Sequence, residues 1–562
     1  MGHNTPIPIR EIGTLTLTPL SDFTTHQADE SFGLDVSYLP YNHQPEVEKT
    51  KKTLSLSIKE LVSKITEVEP FEPYWEHLKE ISLKDKCLKS VHKLDEFCER
   101  LMDLDISCNQ ISTLDGVPRT VQILNISNNF LSNMTAWGHL INLQYVDVSS
   151  NNLDSLSSLR CLFHMRSLRA DHNKISSLDG IDQLEGLLSL RLRDNLVHTL
   201  NFHDSKLQLL TDLDLRGNQI SKVENIQRLR SLTKLDLVDN NLSEFSLDKT
   251  ESLGSIKYLK LSGNNLKCID VSNFPNLRVL YLDRNRLGRL SGLIKAKYLD
   301  SLSLREQRGS TIDQRVFSEA FEVRKLFLSG NFLAKLELES DFLNLQYLEL
   351  ANCGLEYLPA NFGTMLANVR VLNLNFNALT DIHPLKGILR LKRLHLVGNR
   401  LLGLDNLSKV LSELPTLSSV DLRSNPTTMG FYSPILEREI SPYATTDLDE
   451  KKCQEPYKMA KMNKSKDDFY TSCLDMRTRM KRRIYEMFLI HSTHRLKMLD
   501  GLPVDRSILF KYDEVHRSMV KAGFISRPYA EGKSLDVEEG DTKKEFHETP
   551  NDEVWHAEDS FG

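Results

Sequence analysis

The chain lacks any long apolar run. Nothing in it approaches the roughly 18 consecutive apolar residues that a membrane-spanning helix needs, so no membrane insertion is expected. Its start, from Met1 to Pro6, carries no hydrophobic signal segment, and Pro6 occupies the place where a myristoylation motif wants Ser or Thr. Cysteine is scarce and scattered. The eight thiols, at Cys87, Cys98, Cys108, Cys161, Cys268, Cys353, Cys453 and Cys473, never form the close clusters of a disulfide-capped secreted domain. They read as small buried hydrophobes in a reducing, intracellular setting, and the Asn-x-Ser/Thr sequons at Asn125 and Asn133 are then incidental. Strong charge of one sign is also missing, since 71 Lys and Arg face 77 Asp and Glu for a net charge of -6. That balance gives no reason to expect nucleic acid or an anionic membrane as the main ligand.

Catalytic constellations are absent too. There is no Gly-rich phosphate loop, nucleophile elbow, His-Glu-x-x-His or Cys-x-x-Cys pair. His491 and His494 stand three apart without further clustered ligands and read as solvated side chains. The expectation is no enzyme, no cofactor, no metal and no small-molecule substrate.

What fills the chain instead is one pattern. Leu-x-x-Leu-x-Leu-x-x-Asn recurs at a spacing of roughly 22 residues, with strict matches beginning at Leu101, Val121, Leu143, Met165, Leu187, Leu210, Leu232 and onward to Leu417. A looser copy precedes them at Leu78, Ile81 and Leu83. The first, fourth and sixth residues point inward and those between them alternate outward in a short strand. The closing Asn, from Asn109 to Asn425, satisfies turn backbone that would otherwise be buried unpaired. Gln307 and Cys353 replace it in two copies, and Gln makes the turn at Arg305-Glu306-Gln307 locally unusual. One copy cannot cover its own apolar side, so stability is a nearest-neighbour sum along a stack. The fold class is α/β: a leucine-rich repeat solenoid of about 16 copies, with a curved parallel sheet on its concave face, an N-terminal helical cap and a C-terminal repeat cap.

The organisation follows from where the rhythm starts and stops. Residues 1–50 are polar and aperiodic and read as a flexible arm; 51–77, where Leu54, Ile58, Leu61, Val62 and Ile65 keep helical spacing, reads as the N-terminal cap. The repeats occupy 78–425 and an unusually long insertion 426–475. The C-terminal cap, 476–526, holds a helical run around Met480, Ile484 and Phe488 and a last Leu-x-x-Leu step ending in Leu499-Asp-Gly501. Residues 527–562 read as an acidic disordered tail.

Outward strand positions line one surface. Repeats four to six place Arg169, Arg191, Arg193 and Arg216 there, beside Asp212, Asp214 and Asp236. Later copies add Tyr258, Lys260, Tyr281, Arg305, Lys325, Phe327 and Tyr347. Aromatics mixed with Arg dominate protein interfaces, although aromatics also favour half-exposed strands for their own sake. Those residues are the candidate partner-binding set. Two short motifs stand apart from it. The basic run Arg477 to Arg483 fits a nuclear import signal, but its interleaved Met480, Ile484 and Phe488 favour an amphipathic capping helix. Arg506-Ser-Ile-Leu-Phe510 fits the loose docking pattern for protein phosphatase 1.

Particular stretches resemble one family, the fungal spindle-pole-body scaffolds of the septation initiation and mitotic exit networks, related to animal centriolin. They are Leu104 to Asn109, Leu131 to Asp147, Leu168 to Asn173, the irregular copy Leu302 to Gln307, Asn425 to Pro434, and the cap from Arg482 to Gly501. The similarity covers roughly residues 75 to 525. It implies a non-catalytic scaffold in the cytoplasm and cytoskeleton at the spindle pole body, whose repeats and cap attach to a pole-body anchor. In that family a long N-terminal region recruits septation or mitotic-exit kinase and GTPase components. Only about 75 residues precede the repeats here, so the resemblance favours docking through the solenoid. The alternative reading is a leucine-rich repeat regulatory subunit of protein phosphatase 1, which shares the short repeat.

Overall fold

The computed structural model describes residues 44–247, 251–309, 312, 315–333, 335–434, 457, 459 and 462–521. The described residues fall into two compact units, one up to Val197 together with 204–209 and the other of 198–203 together with those from Leu210 on. In the first, helix α1 (Gln44–Val68) precedes the strands and buries Leu61 and Ile65 completely. Glu67 near its end accepts from Lys64 and from Lys86, which draws the helix onto the first turn of the repeats. Residues 44–50, expected in the arm, are therefore helical; the rest of that arm and the acidic tail lie outside the described residues.

Six three-residue strands follow: β1 (Glu80–Ser82), β2 (Asp103–Asp105), β3 (Ile123–Asn125), β4 (Tyr145–Asp147), β5 (Ser167–Arg169) and β6 (Ser189–Arg191). Each pairs parallel with the next, residue for residue. A parallel register without slippage follows from the fixed repeat, because a one-residue slip would turn every buried leucine outward. The central residues, from Ile81 through Leu104, Leu124, Val146, Leu168 and Leu190, are all buried.

The second unit continues the scheme in ten strands: β7 (Asp212–Asp214), β8 (Lys234–Asp236), β9 (Tyr258–Lys260), β10 (Val279–Tyr281), β11 (Ser301–Ser303), β12 (Lys325–Phe327), β13 (Tyr347–Glu349), β14 (Val371–Asn373), β15 (Arg393–His395) and β16 (Ser419–Asp421). All pair parallel with their neighbours. A last strand, β17 (Met498–Leu499), joins β16 in parallel and turns back antiparallel onto Leu502–Pro503.

The asparagine ladder is what makes the turns affordable to bury. Asn151 donates to the carbonyls of Ile126, Val148 and Ser149 at 3.1, 3.0 and 3.2 Å, and accepts from the Leu131 N–H at 2.8 Å. Each unmet group of that kind would cost about 1–3 kcal/mol. Gln307 takes the same place: it donates to Leu282 and Arg305 carbonyls and accepts from the Leu287 N–H. Its extra methylene is thus absorbed without breaking the ladder. The residue just before the ladder position is left-handed in copy after copy, including Gly217, Gly263, Gly330 and Gly398 but also Glu306 and Phe376. A second row stands at the opposite edge, where Asn142, Asn276 and Asn368 donate to carbonyls of Arg119, Gly254 and Leu343.

The C-terminal cap packs three helices near the end of the sheet: α2 (Leu404–Ser412) in the last repeat, then α4 (Met476–Ser492) and α5 (Glu514–Lys521). A further helix, α3 (Lys464–Cys473), lies inside the stretch expected to be linker. Its N-cap is Asn463, whose side chain accepts from Ser465 and Lys466.

Candidate protein-docking surface

Period-two alternation sends the first and third strand residues, and the residue two further on, to the exposed sheet face. In the first unit β5 and β6 set Arg169 directly opposite Arg191. Like charges at that spacing repel, and each is met by a carboxylate from the preceding repeat. Arg169 lies 3.7 Å from Asp147 and Arg191 2.6 Å from Asp171. Asp171 is buried and also accepts from the backbone N–H of half-buried Arg193 at 2.8 Å. Two successive arginines are thereby held over one carboxylate.

The same face carries a patch that the sequence reading passed over. Ile123 and Tyr145 stand opposite each other on β3 and β4, 41% and 46% exposed. Beside them β1 and β2 present Glu80, Asp103 and Asp105. Partial burial, then the charges of Glu80 and Asp105, raise the Asp103 carboxyl pKa. The signal was available in the outward positions of the first three repeats.

In the second unit β7 to β9 are laced by ion pairs between neighbouring strands, Lys234 to Asp212 at 3.2 Å and Lys260 to Asp236 at 3.4 Å. Arg216 approaches Asp239 at 3.8 Å, and Arg284 binds the same carboxylate at 2.8 Å. Tyr258 and Tyr281 lie half-buried opposite Lys234 and Lys260. Burial raises the Tyr281 phenol above its ordinary value.

Further along, the predicted residues are brought together, and two of them, Arg305 and Phe327, are buried by their neighbours on the sheet face. Arg305 is 7% exposed and forks onto Glu349, with Nε to Oε1 at 2.7 Å and Nη2 to Oε2 at 2.9 Å. Its guanidinium sits 4.4 Å over the Phe327 ring, which is itself 5.0 Å from Tyr347. Lys325 and Tyr347, opposite each other on β12 and β13, are the half-exposed members of that cluster.

Tyr457, from the long insertion, reaches the same face. Its carbonyl accepts from the side chains of Asn373 and Asn375 at 3.2 and 3.1 Å, and its hydroxyl donates to Glu306 at 2.5 Å. No periodicity announces this contact in the sequence.

Arg479, Arg482 and Arg483 of the basic run in α4 are taken up by the cap, while Arg477 and Lys481 stay exposed. Arg482 is buried against Asp467 and Glu486, Arg483 approaches Asp513 at 3.7 Å, and Arg479 bonds the carbonyls of Leu474 and Ser472. The phosphatase-like pattern lies on a single 3-10 turn, Arg506–Leu509, with Arg506 bonded to the His494 and Leu496 carbonyls. Among the described residues, no group of three or more His, Cys, Asp or Glu could hold a metal ion, and no helix is long and apolar enough to cross a membrane.

A general leucine-rich repeat family matches residues 230–287, and the repeat region of leucine-rich repeat and WD repeat-containing protein 1 matches 302–498. Over 460 residues, 81% of this chain, it is 36% identical to the septation initiation network scaffold protein cdc11 of Schizosaccharomyces pombe. The chain spans 44% of that relative's length. A shorter stretch, 32% of this chain, is 30% identical to 11% of the adenylate cyclase of the same yeast. The solved leucine-rich repeat protein of Leptospira interrogans covers 62% of this chain and 96% of its own at 24% identity with a TM-score of 0.51, a likeness of fold. With one parallel strand per repeat, an unbroken register within each unit and these matches, the chain is a leucine-rich repeat solenoid, similar along 81% of its length to the septation initiation network scaffold.

Proposed function

We propose that this protein is a non-catalytic scaffold that acts in septation initiation and mitotic exit signalling inside the cell, at the spindle pole body. It docks protein partners, a pole-body anchor and septation kinase or GTPase components, on its exposed sheet face and around its C-terminal cap. The observation that carries the reading is the 36% identity to a septation scaffold along 81% of the chain. The sheet face supports it: ion pairs at β5 to β9 keep charged side chains ordered before a partner arrives, and Ile123 and Tyr145 offer apolar area.

Tagging the protein in dividing cells tests the location. A signal at the poles through mitosis is expected, and a diffuse signal would overturn the reading. Changing Ile123, Tyr145, Tyr258 and Tyr281 to Ala should disperse the polar signal while the melting curve stays in place. Retained localisation would move docking away from this face.

A further inference from the structure

Two buried carboxamides on the sheet face are aimed at a single point. Asn373 closes β14 and Asn375 follows two residues on; they are 2% and 0% exposed. The Asn373 oxygen accepts from the Asn375 N–H at 3.1 Å, and the Asn375 oxygen accepts from the Val397 N–H at 2.8 Å. With both oxygens engaged by backbone, both amide nitrogens are left to donate, and both donate to the carbonyl of Tyr457. Buried donors without an acceptor are costly, so the fold has built a twin-donor clamp for one backbone carbonyl.

The other end of the tyrosine is read as specifically. Its hydroxyl meets Glu306, the left-handed residue of the irregular repeat. Gly330 makes the room: a Cβ placed there would lie 2.5 Å from the hydroxyl oxygen. The phenol therefore enters a slot in which a carboxylate waits and a side chain has been left out. Met459 is buried just beyond, and the Met462 N–H donates to the Gly501 carbonyl at 3.2 Å, which ties this stretch to the cap.

We propose that Glu306, Gly330, Asn373 and Asn375 form a recognition site for a tyrosine-bearing peptide, and that Tyr457 fills it as an internal ligand which a protein partner displaces. The displacement rests on the sheet-face docking proposed above; the site itself does not. Tethering gives Tyr457 a high effective concentration, so an outside peptide competes poorly until Tyr457 is removed.

The probe is a fluorescent peptide with the sequence of residues 453–462, Cys453 replaced by Ser, added to the full chain and followed by anisotropy. Tyr457→Ala, which empties the phenol slot and leaves the chain's own carbonyl on the clamp without that anchor, should bind it at least about tenfold more tightly than the unaltered chain. Adding Asn375→Asp, which keeps the oxygen for the Val397 N–H and removes the donor, should reverse that gain, as should Glu306→Gln in a separate chain. A peptide with Phe for Tyr should bind about tenfold more weakly, having lost a charge-assisted bond. Equal binding by the unaltered and Tyr457→Ala chains, no binding to Tyr457→Ala, or indifference to both Asn375→Asp and Glu306→Gln would overturn the proposal. Melting curves identify any variant that has not folded, and the two second-site variants report independently. No partner enters the assay, so its failure leaves sheet-face docking standing, and lost or kept pole localisation does not bear on it.

Discussion

Replacing Arg482 by Ala should loosen the C-terminal cap by about 3–5 kcal/mol, the cost of stranding a buried partner charge. The guanidinium is 6% exposed and fully committed: to Asp467 at 3.0 and 2.6 Å, to Glu486 at 2.8 Å, to the Thr471 hydroxyl at 2.9 Å and to the Phe431 carbonyl at 3.0 Å. It also lies 4.4 Å over the Tyr432 ring. Without it, Asp467, 5% exposed, is left buried without its arginine partner. Glu486 escapes the worst of this, because burial already raises its carboxyl pKa and it can protonate. The double change Arg482→Met with Asp467→Leu removes both charges and should recover stability to within about 1 kcal/mol of the starting protein. Repeat arrays do not unfold as one unit, so a global melt would blur the effect. Hydrogen exchange of α4 peptides at rising urea reads the cap alone. A single substitution that costs under about 1 kcal/mol, or a double change as harmful as the single one, would refute the reasoning.

Burial, and then the nearby Asp421 charge, push the Asp500 carboxyl up to about 7. The unfolded chain sheds this proton near pH 4, as an ordinary Asp does, while the folded cap keeps it, so α4 protection should fall as pH rises from about 4 to about 7. Asp500→Asn should flatten that profile. Asn285→Ala should cost about 1–3 kcal/mol in local hydrogen-exchange stability, since it strands the Leu266 N–H, while the carbonyls of Leu261, Leu282 and Asp283 keep second donors in Asn264, Gln307 and the Gly263 N–H. A loss under about 0.5 kcal/mol would deny the ladder its energetic role. Native alkylation at mildly alkaline pH, read by mass spectrometry, should label exposed Cys87, Cys268 and Cys473 first. It should spare Cys98 and Cys353, whose thiols burial pushes up to about 11 and about 12.

The fold was legible because its energy is periodic. Leucines that must meet their own copies and an asparagine that must reach the previous turn leave the same mark in every repeat. Orientation was legible for the same reason, and Arg191, Tyr258 and Lys260 stand on the sheet face where alternation puts them. What each outward residue then does was not legible. Arg305 occupies an outward position yet is buried, because Glu349 two repeats later and Phe327 one repeat later close over it. Local pattern states the direction of a side chain and is silent about neighbours of that kind. Helix α3 hid in a stretch of Lys, Ser and Asp whose stability comes from one buried carboxylate, Asp467, rather than an apolar stripe. Tyr457 was invisible because a single long-range contact has no period at all.

The ladder has a direction. Asn151 bonds back to Ile126 and Leu131, Asn285 to Leu261 and Leu266, and Asn425 to Leu396 and Leu401. Each repeat is therefore completed by the one translated after it. A nascent chain leaving the ribosome is sealed behind its growing edge and stays one repeat short at the front until the cap arrives. There the Asp500 carboxyl accepts from the Leu422 N–H, where the preceding repeat uses the Asp421 backbone carbonyl, and the Thr428 hydroxyl donates to the Leu422 carbonyl as a following asparagine would. Synthesis that stops between repeats leaves unmet backbone at the newest strand and turn, so a truncated chain carries the same defect wherever it ends.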